Sequence, residues 1–357
     1  MKLFMDIHVI QTVPPSCLNR DDTGSPKTAV YGGVRRARVS SQSWKRAMRL
    51  MFNEYLDAGQ LSYRTLKIFD MVADKILEKS PSYSREDAIL LAKEVFKKAK
   101  IKLSKKDADK SDALFFLSNQ QAKNLADIAL ENLEDKQATK TVVKMLKANN
   151  GVDLALFGRM VATYPEINCD ASAQVAHAIS THRIENEYDY FTAVDDLSSE
   201  EHAGAGMIGT IEFNSATLYR YATVAVHELY NQLSEDVFVL ESALREFIRA
   251  FIISMPSGKQ NTFAAHTLPY AVMVSLRTDR PLNLVDAFEK PITSSGGFSE
   301  LSAETFANHT AKVYEDFCSK PASSYILGNL QSELGKKVNI DELLNEATRD
   351  AVERITS

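Results

Sequence analysis

The sequence predicts an α+β protein in which a sheet domain is interrupted by insertions. Strand-forming runs lie toward both ends of the chain, whereas residues 60–150 show helical periodicity. The chain has 357 residues, of which 45% are hydrophobic, so it can bury the core of about two domains, or of one domain with large insertions.

The first predicted strand is residues 3–10, which are rich in β-forming side chains. Leu3, Met5, Ile7 and Val9 lie on one side and the other side is also partly apolar, so we expect a central strand. The prolines of residues 13–16 should end it. Further strands are predicted at residues 34–39, 209–213, 217–226 and 270–276, and residues 173–180 are predicted as a short helix or strand.

Helices are predicted throughout residues 60–150, which we interpret as an all-helical insertion. Ser84, followed by Glu86 and Asp87, is typical of a helix N-terminus, and the Asn-Asn-Gly of residues 149–151 is typical of a helix end. The predicted helices are residues 61–78, a helix after Ser84, residues 119–134 and residues 137–148. Outside the insertion, residues 237–253 predict a strongly amphipathic helix.

The composition argues against several classes of protein. No apolar stretch approaches the roughly 20 residues that span a membrane. Asp6 interrupts any signal-peptide core, so we expect a cytoplasmic protein with no membrane partner. The three cysteines are odd in number and widely spaced, which argues against a disulfide framework. The seven histidines lack metal-ligand spacing and no CxxC pair occurs, so no metal site or other cofactor is predicted.

A basic run is the most distinctive feature of the chain. Although the net charge is -5, residues 23–53 hold seven cations and no carboxylate. The cations are Lys27, Arg35, Arg36, Arg38, Lys45, Arg46 and Arg49. Such a local excess predicts a surface that attracts polyanions, with phosphate the most favoured.

The last part of this run has the pattern of a helix that follows a capping serine, Ser40 or Ser41. At about 100° per residue, one helix face collects Trp44, Met48, Met51, Phe52 and Tyr55, and another collects Gln42, Lys45, Arg46 and Arg49. We therefore expect a helix that packs on the sheet and holds three cations and an amide outward. These side chains and the unpaired amides of the first turn would bind phosphate. An ordinary solvated face is the alternative interpretation.

Several segments resemble the CasC-type (hexameric) backbone subunit of Cascade, the type I-E CRISPR surveillance complex. The segments are residues 15–22, 31–33, 38–43, 45–49, 151–160, 176–179, 191–197, 213–215, 219–222, 258–265 and 286–290. They are ordered and specific up to about residue 290, whereas residues 60–145 and the tail beyond 300 match mainly in character.

The resemblance implies an RRM-like (ferredoxin-like) palm, a helical fingers insertion and a protruding β-hairpin thumb. The implied division is a palm of residues 1–59 and 213–357, fingers of 60–150, a junction of 151–182 and a thumb of 183–212. It further implies a non-catalytic protein of antiviral defence. Copies would stack head-to-tail along CRISPR RNA, kink the guide at regular intervals and present it to target DNA, together with other Cascade subunits.

The resemblance assigns guide-RNA contacts to eleven residues. They are Asn19, Arg20, Arg38, Ser40, Gln42, Lys45, Arg46, Arg49, Met160, Lys259 and Gln260. It also implies a thumb tip at Phe191, Thr192 and Val194 that inserts between bases as a wedge. Without the resemblance, Met160 would be interpreted as a core residue, and Phe191 could simply pack on its own domain.

A second basic feature lies in the predicted fingers. Lys136, Lys140, Lys144 and Lys147 recur at helical spacing and form one stripe. The resemblance implies that such a stripe grips target DNA, and a solvated face is the alternative.

Two other functions stay open at this point. Asp21 and Asp22 lie in a loop near the predicted RNA path, where related type III backbone subunits cut target RNA with a loop aspartate. No companion metal cluster is evident, and loop carboxylates usually form turns. The chain could also be a stand-alone single-strand RNA-binding protein, although the aromatic pair typical of such sheets is not evident.

Overall fold

The computed structural model of the chain describes residues 1–131, 137–162, 164–193 and 207–357. The strands are β1 Phe4–Ser16, β2 Thr28–Tyr31, β3 Val34–Val39, β4 Ser62–Thr65, β5 Phe115–Ser118, β6 Ala173–Val175, β7 Ala178–Ser180, β8 Glu187–Ala193, β9 Met207–Ala225, β10 Ala271–Arg277, β11 Ser323–Gly328 and β12 Lys336–Lys337. The helices are α1 Ser41–Tyr55, α2 Ile68–Lys79, α3 Arg85–Lys98, α4 Asn119–Glu131, α5 Ala138–Lys147, α6 Val152–Phe157, α7 Val226–Gln232, α8 Val237–Ile253, α9 Gln260–Phe263, α10 Ser299–Asp316 and α11 Ile340–Thr356. Helices and a large mixed sheet together make up the fold.

Strand β1 is central in this sheet, as predicted. The strand order is β12-β11-β10-β1-β9-β7-β3-β2, and β6 and β8 also pair with β9. β1 runs antiparallel to both β10 and β9, whereas β11 and β12 are parallel. The two faces of β1 are buried in different clusters, because neighbouring residues of a strand point to opposite faces. One face joins residues of α1, α8 and α11, and the other joins residues of α10.

The segment between residues 60 and 150 has a hydrophobic cluster of its own. Helices α2 to α5 contribute most of it, with Phe69 and Phe96 packed edge to face. The prediction that this segment is all-helical is wrong, because β4 and β5 pair antiparallel as a two-stranded sheet. Each of these strands has four residues, which is too short for a recognisable alternating pattern. The predicted cap at Ser84 is confirmed, since its hydroxyl accepts a hydrogen bond from the Asp87 amide at 3.1 Å.

Two strands are longer than predicted. β1 continues through Pro14 and Pro15, because its register with β9 shifts between Val13 and Ser16 and the missing proline amides break no ladder there. β9 is one strand of 19 residues rather than the two predicted strands. Its first part pairs with β8 to form the predicted hairpin, and its second part pairs with β1. The predicted boundaries of palm, fingers and thumb stay predictions.

A polar network lies buried between β1, β9 and α10. Asp6 accepts hydrogen bonds from the Tyr221 hydroxyl and the Leu282 amide, each at 2.9 Å. The His8 ring is fully buried, with Nδ1 2.9 Å from the Tyr219 hydroxyl. Burial raises the pKa of Asp6 from 3.8 to about 6 and lowers the pKa of His8 from 6.5 to about 3.

These two shifts predict opposite contributions to stability in acid. Because the pKa of His8 is lower in the folded than in the unfolded state, His8 makes the fold less stable as pH falls from about 6.5 towards 3. Because the pKa of Asp6 is higher in the folded than in the unfolded state, Asp6 makes the fold more stable as pH falls from about 6 towards 4. Urea unfolding at pH 7 and pH 5 should therefore show His8→Gln gaining relative to wild type on acidification, by up to about 1.4 kcal/mol per pH unit. The free energy of unfolding of Asp6→Asn should fall relative to that of wild type on the same acidification. If it changed equally with pH in all three proteins, the pKa shifts of Asp6 and His8 would be contradicted.

Candidate nucleic-acid interface

Helix α1 begins beside the loop that follows β1. Ser40 is its N-cap, and the Ser40 hydroxyl accepts from the Ser43 amide at 3.3 Å. The Ser40 amide donates to Asn19 Oδ1 at 2.9 Å, and the Ser41 amide donates to His177 Nδ1 at 3.3 Å. The fold thus brings Asn19 and Ser40 together. Three amides at the start of α1, those of Ser40, Ser41 and Ser43, are already used, so side chains must supply more of any anion binding.

A buried arginine holds the inner face of α1 against the sheet. The Arg220 guanidinium lies 3.7 Å from the ring centroid of Trp44 and 4.7 Å from that of Phe251. Its Nη1 donates to Gln11 Oε1 at 2.5 Å, and its Nη2 donates to the Phe251 carbonyl. Burial lowers the pKa of Arg220 to about 9, so the side chain still carries its charge at neutral pH. The orientation of α1 therefore depends on stacking as well as on apolar packing.

The predicted apolar face of α1 is confirmed over most of its length. Trp44, Met48 and Phe52 are buried. Tyr55 is the exception, because it is 51% exposed and lies under the Arg249 guanidinium with 4.7 Å to the ring centroid. The buried face therefore ends one turn before the helix does.

The outer face of α1 presents Gln42 and Arg46 to solvent. Arg46 forms no ion pair within the described residues. Lys45 is half-buried, with its ammonium 5.6 Å from the ring centroid of Phe157, and burial lowers the pKa of Lys45. Gln42 and Arg46 are consequently the most accessible of the candidate phosphate ligands on this helix.

Arg49 does not project freely, which corrects the helical-wheel prediction. Its Nε lies 3.3 Å from Asp153 Oδ2, and its guanidinium lies 4.5 Å from the ring centroid of Phe116. Asp153 is buried, which raises the pKa of its carboxyl group, and its Oδ1 accepts from the Ser62 amide at 2.8 Å. Arg49 therefore ties α1 to the start of α6 and to β4. The pairing was hidden in the sequence because 104 positions separate the two residues.

Arg36 and Arg38 also have partners within the protein. Arg36 is fully buried and donates to the carbonyls of Ser180 and Phe288 at 2.9 and 2.8 Å, so it does not belong to the basic surface. Arg38 is half-buried, donates to a carbonyl of β2, and has Nη1 3.4 Å from His177 Nδ1. The contacts of His177 with Arg38 and with the Ser41 amide place it beside the start of α1. Its only sequence signal was the segment 176–179.

The loop of residues 19–22 lies against residue 258. A Cβ atom on Gly258 would come within 2.2 Å of the Leu18 carbonyl oxygen, so only glycine allows this approach. Gly258 lines two surface clefts. One, of about 530 Å³, includes Asn19 and Arg20, and the other, of about 460 Å³, includes Arg46. Arg20 and Arg46 therefore lie on two clefts that meet at Gly258, and Asp21 and Asp22 also line the first of them. We call the set Asn19, Arg20, Gln42, Arg46 and Lys259 the basic face.

Two loop residues with predicted roles are partly used in local structure. Gln260 Nε2 donates to the Pro256 carbonyl at 3.0 Å and its Oε1 accepts from the Ala265 amide at 2.8 Å, so its side chain closes the loop. Asp21 Oδ1 accepts from the amides of Thr23 and Ser25, each at 3.0 Å, which makes Asp21 a turn-forming residue. The Thr23 hydroxyl also donates to Asp21 Oδ1 at 2.7 Å, and this bond together with the amide bonds lowers the pKa of Asp21.

Met160 is 86% exposed, so its interpretation as a core residue is wrong. Its neighbour Arg159 is buried, and Gly158 has a positive φ of 75°. A Cβ on Gly158 would come within 2.9 Å of the Cys169 carbonyl oxygen. The backbone therefore buries Arg159 and directs Met160 outward. This short segment follows Phe157, the residue whose ring contacts Lys45.

The hairpin residues have mixed environments. A Cβ on Gly209 would come within 2.4 Å of the Phe191 ring, so the ring lies over this glycine of the paired strand. Thr192 is exposed, and Val194 lies outside the described residues. Tyr188 and Tyr190 are strongly exposed on β8, and the sequence analysis did not select them. Their alternate spacing puts both on one side of the hairpin.

Helix α5 presents the lysines of the predicted stripe. Lys140, Lys144 and Lys147 are exposed, and Lys136 lies outside the described residues. Ala138, Val142 and Leu146 form the buried side of the helix. The spacing therefore produces one basic edge on the described part of α5.

Among the described residues, no group of three or more His, Cys, Asp or Glu side chains could hold a metal ion. No helix of the described segments is long and apolar enough to cross a membrane.

The fold matches those of chains from known RNA-guided assemblies. Over 96% of its length the chain superposes on all of a chain from a "CRISPR RNA-guided surveillance complex, pre-nicking", with a TM-score of 0.84 and 35% identity. A chain from a second "CRISPR RNA-guided surveillance complex" matches with a TM-score of 0.72 and 29% identity, over 96% of this chain and 99% of that one. No curated protein matches. Residues 5–350 match the family model described as CT1975-like protein, and the chain belongs to that family.

Substitutions should separate the roles of Arg46 and Arg49, the two arginines of α1. Arg49→Met should lower the free energy of unfolding by about 1–3 kcal/mol, because it leaves the buried Asp153 carboxylate without its cation. Arg46→Met should change it by less than about 0.5 kcal/mol and weaken binding of single-stranded RNA. Urea unfolding of RNA-free protein and RNA titrations at several salt concentrations measure the two effects. Unchanged stability in Arg49→Met with weakened RNA binding would instead make Arg49 a phosphate ligand.

Proposed function

We propose that this protein is a non-catalytic backbone subunit that binds CRISPR RNA in a Cascade-type, type I-E surveillance complex. The observation that carries the proposal is the full-length match, at 35% identity, to a chain of an RNA-guided surveillance complex. The exposed cations of the basic face support it, because they suit a phosphate backbone.

In this proposal the basic face binds guide phosphates. Arg46 and Gln42 are exposed on α1, and Arg20 is exposed on the neighbouring loop. Contacts of this kind fix the path of a strand without reading its sequence. A subunit that holds any guide by its backbone leaves sequence recognition to base pairing with target DNA.

Met160 and the hairpin would shape the guide. A strongly exposed thioether side chain can insert beside an unstacked base, and exposed aromatic residues such as Tyr188 and Tyr190 can stack on one. Phe191 and Thr192 stay candidates for the wedge, with Val194. Copies of the chain would assemble head-to-tail, so that each kinks one interval of the guide.

Helix α5 would contact target DNA in the same complex. Its exposed lysines, Lys140, Lys144 and Lys147, carry charge without the aromatic or planar groups that read bases.

Two alternatives receive less support. An RNA-cutting subunit would need a loop carboxylate free to act; the hydrogen bonds of Asp21 hold it in a turn, which leaves the exposed Asp22 as the candidate. A stand-alone RNA-binding protein would not need the likeness to a surveillance-complex chain over its whole length.

Assembly on RNA should depend on guide length. Size-exclusion chromatography with light scattering should show oligomers whose mass increases stepwise with the length of single-stranded RNA, and Arg46→Met should require lower salt to form them. A single one-to-one species at every length would favour the stand-alone alternative.

The assembled complex also tests the absence of catalysis. Incubated with labelled complementary RNA and divalent metal, it should leave that RNA intact. Regularly spaced cuts that Asp22→Ala abolishes would establish the nuclease alternative.

Charge reversal on α5 should separate DNA binding from assembly. The triple variant Lys140→Glu, Lys144→Glu and Lys147→Glu should form the same RNA-bound oligomers and bind target DNA more weakly, with a reduced salt dependence. Replacing Lys102, Lys105 and Lys106, three exposed lysines between α3 and β5, by glutamate is a matched control with the same net change of charge. Loss of assembly in the α5 variant alone would contradict separate roles.

A further inference from the structure

We propose that Arg159 is a positioning residue that fixes Met160 and the lysine-bearing end of α5 together. This inference rests on the proposed function, in which Met160 contacts guide RNA and α5 contacts target DNA. It concerns a side chain that is 5% exposed and therefore touches neither nucleic acid itself.

The Arg159 guanidinium joins four separate parts of the fold. Nη1 donates to the Phe116 carbonyl of β5 at 2.9 Å and to Gln121 Oε1 of α4 at 3.2 Å. Nε and Nη2 donate to the Ile167 carbonyl at 3.1 and 3.0 Å, and Nη2 also donates to the Leu146 carbonyl of α5. All three nitrogens are used, and the acceptors are neutral oxygens.

One of these acceptors belongs to the last turn of α5. The final carbonyls of a helix have no partner within the helix, so they need outside donors when buried. Arg159 supplies one donor to the Leu146 carbonyl, and Gln121 Nε2 donates to the carbonyls of Leu146 and Ala148 at 2.9 and 3.0 Å. Lys144 and Lys147 lie in the same turn, so its orientation sets theirs.

The same arginine fixes the backbone around Met160. Its amide donates to the Cys169 carbonyl and its carbonyl accepts from the Cys169 amide, both at 2.9 Å. On the other side of Met160, the Val161 amide donates to Asn168 Oδ1 at 2.6 Å. Met160 thus projects from between two anchored residues.

The chemistry of this site requires arginine. A guanidinium offers five donors in one plane, whereas a lysine ammonium is a compact charge on a flexible stem. The Arg159 plane also lies over Phe115, with 4.9 Å to the ring centroid. A lysine could satisfy only part of this set, so Arg159→Lys keeps the charge and removes the connection.

Hydrogen exchange of the wild-type protein tests the connection without any substitution. The amides of Ala148, Arg159 and Cys169 should open with one shared free energy, because the same guanidinium holds their segments. Clearly different opening free energies for Ala148 and Cys169 would overturn the proposal.

Variants test whether the connection matters for nucleic-acid binding. The readouts are the fluorescence of 2-aminopurine placed along the guide, which reports unstacked bases, and the affinity of the assembled complex for target DNA. Arg159→Lys should lower the 2-aminopurine signal and weaken DNA binding about three- to thirtyfold. A purely structural role would leave the 2-aminopurine signal of the folded, assembled complex unchanged.

Two controls separate the surfaces. Gln121→Glu retains an acceptor for Arg159 but loses both donors to α5, so it should weaken DNA binding and spare the 2-aminopurine signal. Met160→Ala should lower that signal and leave exchange at Ala148 unchanged. Arg159→Lys affecting only one of the two surfaces would overturn the proposal. The wild-type amides could open with one shared free energy while no position of the guide gives a 2-aminopurine signal. That outcome would instead overturn the role of Met160 in the proposed function.

Discussion

The interface depends on the stacking of Arg220 between Trp44 and Phe251. A guanidinium removed from water loses much of its hydration, and here carbonyl and amide oxygens and two aromatic faces replace it. Because the stack requires Trp44 at one position, it fixes the rotation of α1 about its axis. That rotation determines that Gln42 and Arg46 face solvent while Arg49 faces Asp153. A helix held only by aliphatic packing would tolerate more rotation and present its cations less regularly.

Buried arginines recur at the points where segments of this chain meet. Arg36 joins β3 to the carbonyls of Ser180 and Phe288, and Arg159 joins the end of α5 to β5. In each case the guanidinium bonds to carbonyl oxygens rather than to a carboxylate. The hydrogen bonds of such a guanidinium are lost if any of the bonded segments moves, so they favour one packing of these segments over similar ones. Counting cations in the sequence therefore overestimates the basic surface, because some of the arginines are buried and hold segments of the fold together.

The sequence predicted the elements whose pattern is long and local. The central strand, α1 with its cap and α8 follow from periodicity and capping residues over seven or more positions, whereas the β8–β9 hairpin was implied by the family resemblance. Prediction from the sequence failed where a residue or strand is placed by a partner that lies far away in the sequence. The strands β4 and β5 lie about 50 residues apart in the chain and have no pattern until they pair. Arg49 faces outward on a helical wheel, and only the fold brings Asp153 to it. The exposure of Met160 came from the family resemblance, because a methionine at this spacing is usually interpreted as core.

The exposure of Met160 requires a structural explanation. Burying a methionine side chain is worth about 1.5–3 kcal/mol, so an isolated chain gains by folding it inward. Gly158 prevents this by adopting a positive φ against the Cys169 carbonyl, and Arg159 takes the inward position instead. The fold thus forgoes the burial of Met160 within one molecule. A partner that covers the side chain recovers that free energy, and a flat unstacked base offers apolar area without requiring a particular hydrogen-bonding pattern. Under the proposed function, an apolar contact of this kind and phosphate contacts at Arg46 would share one property: neither depends on base identity, as a guide of arbitrary sequence requires.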